Sequence, residues 1–332
     1  MQRAIVIRYG GFGDALQAAS ILPGLKEQGW DITLDCSEQG FELLKSDPCI
    51  DALLLTPQGS VDLADLGEYW NARTNGFNRV INLCQSVENA HLMLPSALGF
   101  FHDDETRRRL YGGANYVEHI HRIAGVPGPF LPRFCPTMAE IEDAKALLAV
   151  KSGEKPRKTA ILALAGSSEY KIWPHADDFV SLLLDQTDAL IFLAGGPKDA
   201  VLAEKVLENV ASRGEMAKKR VIDATSWPVR ASYTLACLAD WVVGPETGML
   251  NAAAASFGRK VVLLSHSTPT NLTKHWINTI SVAPGVPCHP CHRLHQSTKF
   301  CPRGPSGAFA ACAESIDPAL VLEACQISSE AQ

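Results

Sequence analysis

The 332-residue chain lacks several features that would assign it at once. No run of about 18 apolar residues occurs, so no segment reads as a membrane-spanning helix. No basic block occurs either, and the net charge is −6, so nucleic acid would find no general electrostatic footprint. Low-complexity segments and short repeats are absent. The glycine-rich turn at Gly10, Gly11, Gly13 and Asp14 is not GxGxxG, which makes a dinucleotide-binding reading poor. The opening MQRAIVIRYGG shows no charged leader, apolar core and small-residue cleavage site, so a cytoplasmic location is expected. In that compartment the ten cysteines should be reduced or metal-bound rather than paired in disulfides.

What is present has an α/β rhythm. The length suits two domains of roughly 150 residues each, and a hydrophobic fraction of 46% is ample for two cores. Buried-looking runs AIVIR (4–8), DITLDC (31–36), DALLL (51–55) and RVINL (79–83) read as strands. Between them, DALQAASILPGLKEQG reads as one helix stopped by Gly29, and FELLKSD as another. Residues from about 100 to 135 read as irregular, and a helix is expected at 138–150. The polar, turn-rich KSGEKPRK (151–158) reads as a linker. After it TAILALAG, ALIFLAGG, KRVIDAT, DWVVGPETG and KVVLLSH each look like a buried strand ending in a loop. Helical stretches DAVLAEKVLENVASRG and RASYTLACLA lie among them. Two doubly wound domains in tandem are expected, 1–150 and 159–316, with a C-terminal helix and tail over 317–332.

Ligands of such sheets sit beyond the carboxyl ends of the strands, against helix N-termini. Gly11, Gly13 and Asp14 follow the first strand. The glycines allow close backbone approach and the helix start favours a carboxylate; the plainer alternative is a helix cap on a tight turn. AGSSEYKIWP offers Ser167 and Lys171 for phosphate recognition, a solvated lysine being the bland reading. AGGPKD offers Gly195, or a packing turn. DATSWP places Thr225 and Ser226 where they either bond a base or ribose or cap the next helix. GPETGMLNAAAASFG is the most informative loop. Glu246 there suits ribose hydroxyls, while Thr247, Gly248 and Met249 open a small-residue helix facing a diphosphate.

Taken together, IVIRYGGFGDAL, GSSEYKIWP, FLAGGPKD, DATSW and VVGPETGMLNAAAASFGRKVVLL resemble, in order, the heptosyltransferases of glycosyltransferase family nine, typified by ADP-heptose:lipopolysaccharide heptosyltransferases. The resemblance implies a GT-B fold, two Rossmann-like domains facing across a cleft, with acceptor on the first and nucleotide-sugar on the second. It implies Asp14 as general base, Lys171 as the charge on the donor phosphates, and Glu246, Thr247 and Gly248 at the nucleotide. The implied reaction is inverting transfer of a sugar, heptose first, from a nucleoside-diphosphate donor to an acceptor hydroxyl, with no divalent metal in catalysis. The acceptor would be a glycan, a lipid-linked glycan or a protein. The chain departs from the family pattern at Glu246, commonly Asp, near Asn251, commonly His, and at Ser265-His266-Ser267, commonly Gly-Pro-Thr. These departures keep two alternatives open: a sugar-nucleotide-binding or assembly protein without catalysis, and a GT-B-like nucleotide-sugar epimerase.

Near the end, Cys288, Cys291, Cys301 and Cys312 form C-x₂-C-x₉-C-x₁₀-C within a loop at 287–312. Four thiolates suit a structural zinc or iron, and spacing does not choose between them; reduced, unliganded thiols are the alternative. Some members of the family are similar in carrying a Cys-rich iron-binding segment here. His289, His292 and His295 are substitutes for one thiol, exposed loop residues, or contacts to an anionic substrate. The remaining cysteines are scattered and fit apolar elements as small hydrophobes. Arg107, Arg108 and Arg109 read as a solvated face or as contacts to a phosphorylated acceptor. His119 and His121, two apart on a helix, should point to different faces. A stiffened Cys loop is also compatible with a homo-oligomer interface.

Overall fold

The computed structural model describes residues 2–57, 59–62, 64–84, 102–153, 157–293 and 301–326. Four strands make the first sheet: β1 (Gln2–Arg8), β2 (Trp30–Cys36), β3 (Ala52–Leu55) and β4 (Arg79–Asn82), in the order β3-β2-β1-β4. All pairings are parallel, with Val6 set against Leu34 on one side and Ile81 on the other. Residues 4–7 are wholly buried. A parallel sheet covered on both faces requires such unbroken apolar runs.

The second sheet holds β5 (Thr159–Ala163), β6 (Leu190–Ala194), β7 (Val221–Asp223), β8 (Trp241–Pro245), β9 (Arg259–Leu263) and β10 (Thr279–Val282). Their order is β10-β9-β8-β5-β6-β7, again all parallel. The nine expected strands form where the sequence places them. β10 is additional: its four residues are only half-buried, at an edge, and carry neither an apolar run nor a clean alternation.

Two helix expectations need correction. The stretch read as one helix up to Gly29 is two, Phe12–Ala19 and Leu22–Glu27. Pro23 causes the break, because it has no N–H and its ring clashes with the carbonyl one turn back, so it is accommodated only in a helix's first turn. The region read as irregular contains helices Asp104–Tyr111 and Tyr116–Ala124. Asp103 caps the first by accepting the Thr106 N–H (2.8 Å). Asn115 caps the second through the N–H groups of Val117 and Glu118. The charged DETRRR face conceals the first from hydrophobic periodicity, whereas the second carries the period, burying Tyr116, Val117, Ile120 and Ala124 on one face.

One buried apolar cluster runs through both halves, joining Val6, Leu16 and Ile120 to Tyr233, Met249 and Leu250. A second, containing Phe179, Leu193 and Val261, fills the other face of the larger sheet. The Met138–Ser152 helix packs on the Val229–Leu238 helix of the second half. Among the described residues no helix is long and apolar enough to cross a membrane.

Candidate functional site

In the first sheet the winding reverses between β1 and β4, and in the second between β5 and β8. Crevices open at such reversals because the flanking loops leave the sheet in opposite directions. The loops after β1, β5 and β8 are those that carry Asp14, Lys171 and Glu246. The halves meet there. A Cβ built on Gly248 would lie 2.6 Å from Phe12 Cβ, 2.5 Å from Tyr233 Oη and 3.2 Å from the Gly13 nitrogen. The start of the Phe12–Ala19 helix therefore abuts the start of the Gly248–Ala253 helix. Behind this contact Gln17 Nε2 donates to Asn251 Oδ1 (3.1 Å), and Asn251 Nδ2 donates to the Thr247 carbonyl (2.8 Å). The residue that replaces the family's histidine thus ties one half to the other.

Asp14 does cap its helix: Oδ2 accepts the Gly11 N–H at 2.8 Å. Gly10 makes the turn with φ +119°, a region that disfavours side chains. Oδ1 accepts from Arg8 Nη2 at 2.5 Å. Arg8 is 3% exposed and also donates to the Leu83 carbonyl, whereas Asp14 is 31% exposed. Capping and ion pairing together aim the carboxylate. They use two of the roughly four acceptor positions a carboxylate offers.

Lys171 ends the short helical turn Glu169–Lys171 and is 7% exposed. Its Nζ donates to the Glu246 carbonyl (3.0 Å) and stands 4.0 Å from Glu246 Oε2. Burial pushes the ammonium's pKa down, opposed by the charges of Glu246 and Asp14.

Glu246 is buried and fully engaged. Oε1 accepts the N–H of Ser265 (3.0 Å), the N–H of Ser267 (3.4 Å) and Ser267 Oγ (2.8 Å). Oε2 accepts Ser265 Oγ (3.1 Å) and lies 2.7 Å from His266 Nδ1. Burial raises its pKa, but His266, Lys171 and the Ser265 N–H outweigh that and hold it well below the usual carboxylate range. The longer acid and the Ser-His-Ser turn, two separate departures in the sequence, are one hydrogen-bonded unit.

The other nucleotide candidates fare differently. Thr247 Oγ1 accepts the Leu250 N–H (3.4 Å) as a helix cap, and Met249 is buried in the core. Ser167 is exposed beside Lys171. Gly195 serves a packing turn, since a Cβ there would meet Asp199 Cβ at 2.8 Å. The Thr225 hydroxyl is turned inward onto Asp223 Oδ1 (2.7 Å). Both follow strands outward from the β5/β8 reversal. An open depression of about 520 Å³ along the Ala200–Ser212 helix is lined by Glu204, Glu208 and Asp223 with no basic side chain, which suits no anion.

Cys288, Cys291, Cys301 and Cys312 line one cavity of about 240 Å³, together with Tyr170, Ser265 and His266. Burial pushes the Cys291 and Cys312 thiols up to about 12 and Cys301 to about 11. Among the described residues, no three metal-ligating side chains stand at coordinating spacing. His292 N–H donates to the His266 carbonyl (2.9 Å), His289 Nε2 lies 3.0 Å from the Ser267 carbonyl, and His295 lies outside the described residues. The arginine run has a use the sequence did not suggest. Arg107 Nε donates to the Cys291 carbonyl (2.8 Å), and Arg108 donates to the carbonyls of Pro290 (3.3 Å) and Pro287 (2.5 Å); only Arg109 is exposed. His119 and His121 do diverge: His121 is buried against Ser20 Oγ (3.0 Å), and His119 pairs with Arg122.

Arg8 and Gln17 are the participants that sequence reasoning missed, and His266 was marked only as part of a departure from the family pattern. A charged residue closing a buried strand, as Arg8 does, is the local signal that could have found the first of them.

No protein-family model matches the chain, and no curated protein matches it. Solved structures do. The ADP-heptose lipopolysaccharide heptosyltransferase II of E. coli superposes with a TM-score of 0.66 at 16% identity, over 98% of each chain. A glycosyl transferase family 9 protein of Veillonella parvula gives 0.67 at 13%, over 98% of this chain and 96% of that one. The dodecameric iron-containing heptosyltransferase TibC, solved with ADP-D-beta-D-heptose, gives 0.55 at 14%, over 98% of this chain and 75% of its own. The two parallel sheets with facing reversal points are therefore the GT-B fold of the heptosyltransferases whose loops this chain's loops resemble.

Proposed function

We propose that this chain is a glycosyltransferase that moves a sugar, heptose first, from a nucleoside-diphosphate donor to an acceptor hydroxyl with inversion. The observation that carries the reading is that the helix start bearing Asp14 abuts the start of the Gly248–Ala253 helix, next to the Glu246 carbonyl that holds the Lys171 ammonium. Donor diphosphate at the β5/β8 reversal would meet that ammonium, and the charge developing on the leaving group needs such a preorganised cation. An acceptor hydroxyl on the first sheet's side would face Asp14, aimed by Arg8 and the Gly11 N–H, as its proton acceptor. Glu246, with both oxygens engaged, serves by holding Lys171 and the Ser265–Ser267 turn rather than by taking ribose hydroxyls.

We read the four thiols as holding a structural iron or zinc. The donor set fits in kind and number, since four thiolates complete a tetrahedral site for either metal; all four line one cavity, and they would have to draw together from their present spacing to bind an ion. Bound there, the ion would brace the 287–312 loop.

Incubation with ADP-heptose and a panel of lipopolysaccharide-core, small-glycan and protein acceptors tests the reaction. ADP released only in the presence of an acceptor identifies a transferase; an altered sugar identifies an epimerase, and binding alone a binding protein. Asp14→Asn should keep ADP affinity and lose about 10²–10⁴ in rate. A melting curve must accompany it, because the change also takes the partner from the buried Arg8. Wild-type turnover by that variant removes Asp14 from the role of base.

A further inference from the structure

The Ser265–Ser267 turn does more than cover Glu246, because its donors are divided unevenly between the two carboxylate oxygens. Oε1 takes two backbone N–H groups and the Ser267 hydroxyl. Oε2 accepts the Ser265 hydroxyl at 3.1 Å, has its shortest contact with His266 Nδ1 at 2.7 Å, and is the carboxylate oxygen that faces Lys171 Nζ, at 4.0 Å. The imidazole and the ammonium therefore compete for one atom, and the imidazole holds the shorter position. Lys171 is left bonded to the neutral Glu246 carbonyl.

We propose that His266 is a positioning residue of the donor site: by occupying Glu246 Oε2 it keeps Lys171 from closing onto the carboxylate, and so keeps the ammonium available to a nucleoside diphosphate. This rests on the donor reading above and deepens it. The turn does not need the ring for its shape. His292 N–H holds the His266 carbonyl, His289 lies against the Ser267 carbonyl, and Leu264 N–H is bonded to the Val282 carbonyl. Removing the imidazole thus leaves Oε2 with the Ser265 hydroxyl and its shortest contact vacated, while the backbone stays tied. Tyr170, next to Lys171, lies edge-on to the imidazole with centroids 5.9 Å apart, which keeps the ring from swinging away. With His266 gone, the freed oxygen draws the ammonium into a direct ion pair, and a diphosphate must then break that pair to bind.

Calorimetric titration with ADP of wild type, His266→Ala and His266→Asn tests the proposal, since asparagine returns an N–H donor near the Nδ1 position. A hydrogen bond to a charged group governs the effect, so His266→Ala should bind ADP ~10-fold or more weakly and His266→Asn should recover most of the loss. In turnover the deficit should fall on donor KM rather than kcat. A folded His266→Ala that binds ADP as wild type does overturns the proposal alone, as does an Asn variant no better than Ala. A wild-type chain that binds no ADP overturns the donor reading and this proposal with it. Where His266→Ala does not fold, His266→Leu, which keeps bulk without a donor, takes its place against His266→Asn.

Discussion

Position 248 has no room for a side chain. The Tyr233 hydroxyl belongs to a buried ring, and Phe12 Cβ is fixed to the backbone at a helix start, so neither yields cheaply to a methyl group at 2.5–2.6 Å. Gly248→Ala should cost about 1–3 kcal/mol as overpacking, read as a lower urea midpoint with an unchanged slope. Gly67, on the Leu66–Arg73 helix with nothing within 4 Å of its would-be Cβ, is the control. Ala there should be neutral or stabilise by about 0.4–1 kcal/mol. Sequence marks Gly248 as a place where backbone must come close to something. It does not say that the something includes the opposite half of the protein. Asp14 is similar: its part in capping the helix was legible from GGFGD, while the ion pair with Arg8 that aims it was not.

At the scale of elements, the Met138–Ser152 helix shows one side chain serving two ends. Glu140 closes the capping box, its Oε2 accepting the Thr137 N–H (2.7 Å), and it also receives Arg230 in two bonds of 2.6 and 2.7 Å. Arg230 is buried on the Val229–Leu238 helix and further bonds the carbonyls of Cys135 (3.0 Å) and Leu43. The Arg230 bonds hold the Glu140 carboxyl down at about 2. Its folded pKa lies below its unfolded value of about 4.5, so the stabilisation is full above pH ~4.5 and is lost as pH falls towards 2. We expect about 2 kcal/mol, less than the whole shift because the side chain is 25% exposed and screened. Urea midpoints of wild type and Glu140→Gln should differ at pH 7 and converge between pH 4.5 and 2; parallel curves would mean that the pair contributes nothing. The strands were legible because a covered parallel sheet demands apolar runs that cannot be mistaken. The Asp104–Tyr111 helix was not, because its run of charges carries no apolar period.

For the whole molecule, the loop holding Cys288 and Cys291 lies where the halves and the Ser265–Ser267 turn converge. Arg107 and Arg108 grip it from the first half, and His289 and His292 fasten it to the Ser265–Ser267 turn. Native mass spectrometry and metal analysis of the protein as purified should find one iron or zinc per chain. Chelation should expose the four thiols to a thiol reagent and lower the melting temperature, since an ion that binds only the folded state stabilises it by a few kcal/mol or more. Metal-free protein with an unchanged melting curve would reduce the cluster to four unliganded thiols.

Sequence by itself determined the strands, the glycine and small-residue loops at their carboxyl ends, and the fold that follows, because burial and turn chemistry act over a few neighbouring residues. Only tertiary structure decided what those loops do to one another. The partners in Gln17–Asn251 are 234 positions apart, those in Arg107–Cys291 184, and those in Arg230–Glu140 90. No local period encodes such pairings. They arise where two sheets bring their reversal points together and a buried polar group left without a partner is costly.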